Sequence, residues 1–185
     1  MRIVMNFGAA GLAAAIMLAG TACTPSSSPG SVSLSASPSV TGPATPTPTP
    51  TVLTPDEQDL ESARAAVAKF WQVLDRVGAD PDVSLNALNR VARDPALEQA
   101  QKDMTAWRVA GYRLTGSTVV EESTARLTKP NAWTVTSCVD TSKSDVVDRE
   151  GKSVMGPPYR IKHRSTVIRD SGTFYVTADK ALETC

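Results

Sequence analysis

The sequence predicts an α+β domain, with N-terminal helices packed on a strongly curved antiparallel β-sheet, preceded by a signal peptide and a disordered linker. Three observations carry that prediction. Every charged residue except Arg2 lies at or beyond Asp56. Between Leu60 and Trp107, apolar residues recur in steps of three and four, the period of a helix buried along one stripe. After Gly111 the period falls to two, and turn residues separate the runs, as in antiparallel strands. Helices first and strands afterwards is the order of an α+β domain.

The charges divide the chain by job. Nineteen Lys and Arg balance nineteen Asp and Glu over 185 residues. Such a balance provides no chain-wide basic field, so no nucleic-acid partner is expected. Three Cys and one His, with no CxxC, do not make a structural zinc site. No metal and no cofactor are expected. The segment from Asp56 to Cys185 has the length of one ordinary domain.

The front third reads as export and tether. Residues 1–22 form a signal peptide: Arg2 supplies the positive start, and Ile3 to Gly20 is an apolar run broken by Asn6. Gly20-Thr21-Ala22-Cys23 resembles a bacterial lipobox, in which the Cys is acylated (palmitate among the acyl groups) and becomes the mature N-terminus. Gly20 stands where a lipobox usually has Leu. Ordinary cleavage after Ala22 is the alternative reading. Residues 23–54 then make a tether: from Thr24 to Pro55, 23 of 32 residues are Ser, Thr or Pro, and none is charged. Proline fixes φ and removes a donor, so neither helix nor ladder persists there. The expected location is the extracytoplasmic face of the cell membrane, with the membrane itself a partner through Cys23.

The folded domain is expected over 55–185. Thr54-Pro55-Asp56-Glu57 is a helix start, with a capping Thr, Pro in the first turn and Glu three after the cap. Leu60, Ala63, Val67, Phe70, Trp71, Leu74 and Val77 form its apolar stripe, and Gly78 is expected to close it. Ser84 caps a short helix with Leu85, Leu88 and Val91. Asp94-Pro95 starts another, with Leu97, Ala100, Met104 and Trp107 on one face. Strands are then expected over 112–121, 133–139, 144–148, 159–169 and 173–177, with turns at Lys129-Pro130-Asn131, Asp148–Gly151 and Asp170-Ser171-Gly172.

With Cys23 lipidated, Cys138 and Cys185 remain. An exported domain pairs them, closing a loop of 48 residues and pinning the C-terminal tail to the sheet. His163 lies in Arg160-Ile161-Lys162-His163-Arg164 and is expected to be a strand residue near solvent. Alternation puts Arg160, Lys162 and Arg164 on the outer face. Asp140, Asp145 and Asp148 lack the spacing of a calcium loop and read as turn chemistry. No named nucleophile, zinc-protease or phosphate-loop motif is present. Phe70-Trp71 and Trp107 have the spacing of a buried stripe rather than of a ligand-stacking box.

Gly111-Tyr112-Arg113-Leu114-Thr115-Gly116, Trp133 to Asp140, Asp145 to Asp148 with Gly151 to Val154, and Gly172 to Val176 with the terminal Cys185 carry a resemblance. They are similar to small secreted or lipid-anchored actinobacterial proteins with a cone-like domain of the nuclear-transport-factor-two-like or SnoaL-like type. Related lipoproteins also occur in actinobacterial phages and prophages. The resemblance implies a non-catalytic binding or assembly module at the envelope, with an envelope protein or a small apolar ligand as partner. It leaves two alternatives: a phage-encoded surface lipoprotein that blocks superinfection, and an enzyme of the ketosteroid-isomerase sort acting on a small apolar substrate. Trp107, Tyr112, Trp133 and Tyr159 are the pocket candidates. The enzyme reading requires a buried carboxylate in a deep pocket beside Tyr112.

Overall fold

The computed structural model describes residues 53–185. Helix α1 (Pro55–Ala79) starts as its residues dictate: the Thr54 side chain accepts from the Glu57 N–H, and the Glu57 carboxylate accepts from the Thr54 N–H. The Thr54 N–H and the Thr54 hydroxyl, both donating to it, hold the Glu57 carboxyl below its usual range. Ala63, Val67, Phe70, Val73 and Val77 are the buried face. Gly78 does not close the helix, which runs on through Ala79 with Asp80 as its C-cap. Gly78 serves packing instead: a Cβ there would stand 3.4 Å from both Leu114 and Trp107, already a tight contact.

A 3-10 turn (Leu85–Arg90) follows, capped by Ser84, and drives Leu88 into the core. Helix α2 (Asp94–Ala110) buries Ala96, Ala100 and Met104, and ends at Gly111 in the left-handed conformation.

The expected strand over 112–121 is two strands. β1 (Arg113–Gly116) pairs antiparallel with β4 (Ser144–Val147) as a separate two-stranded sheet. β2 (Val119–Lys129), β3 (Ala132–Asp140), β5 (Arg160–Asp170) and β6 (Thr173–Thr184) form the main antiparallel sheet in that order. The break falls at a single glycine. Gly116 has φ +75°, and a Cβ there would lie 1.9 Å from the Lys143 carbonyl oxygen, so the chain turns where only glycine fits. Asp75 of α1 then catches the new strand, accepting from the Thr118 N–H at 2.7 Å and its hydroxyl at 2.8 Å. β2 and β6 also run well past their sequence-predicted ends, because cross-strand pairing carries polar stretches that lack an alternating signal.

The helices lie against the inner face of the main sheet. Trp133 and Val135 of β3, Val167 of β5 and Val176 of β6 meet Val67, Phe70, Val73 and Leu88 in one core. Cys138 and Cys185 form a disulfide with Cα atoms 5.9 Å apart. The Cys185 N–H also bonds to the Arg160 carbonyl, so the tail is fixed twice. The signal-peptide and tether segments, Cys23 among them, lie outside the described residues.

Candidate functional site

Two places gather chemistry. The first is inside the domain, at the polar end of the sheet's inner face. His163 and Ser165 alternate inward on β5, as the period of two requires. Their partner is Asp179 of β6. Its carboxylate takes His163 Nδ1 at 2.7 Å and the Ser165 hydroxyl at 2.6 Å. Trp71 of α1 stands edge-on to the imidazole, ring centroids 5.1 Å apart at 88°. Ser137 lies directly across from His163 in the β3–β5 register. The Ser137 hydroxyl and the Trp71 indole N–H are buried without hydrogen-bond partners, and His163 Nε2 has none among the described residues.

The expectation of a near-solvent His163 is therefore corrected: the residue is 5% exposed. Its flanking cations do point away, and the carboxylate that offsets them comes from a strand 16 residues later. A β-bulge decides this. Val167 pairs with Val176 and Thr166 with Ala178, so Thr177 is an extra residue in β6. Without it, strict alternation would place Asp179 on the face opposite Val176. With it, both point inward.

The second place is a surface concavity of about 310 Å³ where α2 ends, lined by Pro81, Arg108, Gly111, Tyr112, Arg113 and Arg149. Of the four aromatic pocket candidates, Tyr112 lines it. Trp107 packs on the core beside Gly78. Trp133 is in the core itself, 5.0 Å from the Phe174 ring. Tyr159 is half-buried where the Thr141 side chain and backbone bond its backbone, and burial pushes its hydroxyl pKa up. The four do not share a pocket. The lining beside Tyr112 is cationic, with no carboxylate in it. A shallower groove runs between the 3-10 turn and α2, past Leu85, Asn86, Glu98, Gln101, Lys102 and Thr105.

The aspartates of the β3–β4 and β4–β5 turns do turn work. Asp140 accepts from the Ser142 N–H, and Asp148 from the N–H groups of Glu150 and Lys152. No cluster of metal-ligating side chains occurs among the described residues.

No protein-family model and no curated protein matches the chain. Solved structures do. The chain is similar to the intermembrane space region of chloroplast protein ARC6, with a TM-score of 0.56 and 11% identity over 68% of this chain and 97% of that one. It also matches a proposed aromatic ring hydroxylase from Novosphingobium aromaticivorans, with a TM-score of 0.50 and 10% identity over 70% and 96% of the two chains. A proposed dehydratase of the NTF2-like family from Streptomyces avermitilis aligns at 0.49 and 12% identity over 71% and 99%. The first two matches and the observed packing of helices on an antiparallel sheet meet the expected α+β domain at the level of fold, and at these identities the likeness reaches no further than fold.

Proposed function

We propose that the chain is a lipid-anchored extracytoplasmic module, a non-catalytic binding or assembly domain held at the cell envelope. The observation that carries this reading is how the cone is filled. Phe70, Trp133, Val135, Val167 and Val176 occupy its interior at 4% exposure or less, and Trp71 covers the imidazole of His163. A substrate would need that space. Recognition then falls to the outer surface. The lipobox-like stretch ending at Cys23 and the charge-free Ser/Thr/Pro segment support the anchored setting. The test is fractionation with labelled palmitate. Wild type should carry label in the membrane fraction, and Cys23→Ala should lose both label and membrane association. A Cys23→Ala chain that stayed in the membrane fraction would sink the anchor. Crosslinking and pull-down from intact envelope should then recover a partner.

One observation favours a second reading, an enzyme acting on a small apolar substrate. His163 is oriented by Asp179 through Nδ1, as a general base requires, with Nε2 left for a substrate proton. This demands that Trp71 move aside. Loss of turnover in Asp179→Asn, with partner capture intact, would favour it over the binding reading.

A further inference from the structure

The concavity at the end of α2 is lined by three arginines from three parts of the chain: Arg108 from the last turn of α2, Arg113 from β1 and Arg149 from the segment after β4. None of the three enters an ion pair among the described residues. Arg108 donates to the Val83 carbonyl through one terminal nitrogen, while its Nε is buried without a partner. Guanidinium groups do not shed their charge, so gathering three arginines around one concavity carries a repulsive cost that no direct ion pair among the described residues offsets. The helix dipole accounts for a cation in the last turn of α2, hence for Arg108. It does not account for Arg113 and Arg149 converging on the same spot.

Backbone chemistry fixes the convergence. Gly111 ends α2 at φ +77°, and a Cβ there would lie 2.1 Å from Arg149 Nε and 2.7 Å from its Cγ. The missing side chain is what lets Arg149 lie across the helix end. Tyr112 supplies an aromatic wall beside it.

We propose that this concavity binds a phosphate ester, held by forked hydrogen bonds from Arg113 and Arg149 and by the charge of Arg108. A phosphate ester presents two terminal oxygens as a diester and three as a monoester, all sharing its negative charge, and guanidinium forks suit them. The proposal deepens the binding-module reading and rests on it. For a domain anchored at an envelope, the ester is a phospholipid headgroup or a soluble phosphate ester, and the recognition chemistry is the same.

The test uses the exported chain with Cys23→Ser, so that headgroup binding is separated from anchoring. It is titrated with glycerol 1-phosphate, with phosphatidylglycerol-containing vesicles and with pure phosphatidylcholine vesicles at fixed salt. Saturable binding to glycerol 1-phosphate assigns a soluble ester, and binding to the anionic vesicles alone assigns the headgroup. Arg113→Gln and Arg149→Gln should each weaken binding about tenfold or more with an unchanged melting temperature. Arg126→Gln, an exposed arginine on β2, should leave binding unchanged. The site is overturned if neither probe binds, if the Arg113/Arg149 double variant binds like wild type, or if Arg126→Gln weakens binding equally. Failure of the anchor in the fractionation test leaves this result standing, and failure here leaves the anchor standing.

Discussion

Ser137 and Asp75 show how a single side chain sets its own cost. The Ser137 hydroxyl is buried with no partner among the described residues, so it has lost its water without a replacement. Ser137→Ala should raise stability by up to about 1 kcal/mol, read as a higher denaturation midpoint. A fall of that size would mean the hydroxyl is bonded after all. Asp75 is half-buried, and desolvation pushes its carboxyl above 3.8 in spite of the two donors on Thr118. A raised folded pKa means that the native state holds the proton longer than the unfolded chain does. Its contribution to stability is therefore largest below 3.8 and declines as pH rises through the folded value. The stability of wild type relative to Asp75→Asn should decline across that window. A rise would reverse the sign of the shift.

At the scale of elements, three left-handed glycines differ in what surrounds them. Gly116 faces the Lys143 carbonyl oxygen, Gly111 faces the Arg149 side chain, and Gly172 has nothing within 4 Å. All three add conformational strain when replaced, of order 1 kcal/mol. At Gly172 little else is lost. At Gly111 a flexible side chain can move. At Gly116 the obstacle is backbone, so β1 or β4 must shift. Melting temperatures of the Ala variants should rank Gly172 highest, then Gly111, then Gly116. Equal values would mean that strain alone matters and the close approach does not. The same glycine explains why the strand expected over 112–121 is really two. Periodicity registers alternation on both sides of Gly116, but the close approach that admits only glycine there comes from Lys143, a residue 27 positions later.

For the whole molecule, the Cys138–Cys185 bond ties the last residue to β3, an inner strand of the main sheet, across a separation of 47. Loop-closure entropy puts its contribution at up to ~4 kcal/mol. Reduction should lower the denaturation midpoint and speed amide exchange at the end of β6 before the core is affected. Unchanged exchange there would mean that the ladder alone holds the tail. The helix start at Pro55, the apolar stripe of α1 and the turns were legible in sequence, because each depends on neighbours within a few residues. The burial of His163 was not, since its cationic neighbours argued for solvent and its carboxylate partner lies on another strand. Nor was Asp179. Its direction depends on the extra residue in β6, and a bulge shows only when two strands are laid in register.

The sequence by itself determined the start of the first helix, the class of the fold and the pairing of Cys138 with Cys185, because capping, periodicity and parity are local or countable properties. Tertiary structure alone decided which polar groups meet. The His163–Asp179–Ser165 network joins two strands through a bulge. The arginine concavity joins a helix end, a short strand and a loop around one glycine. Neither set is contiguous in the chain, and through-space distance, which fixes both charge repulsion and hydrogen bonding, is not written in residue order.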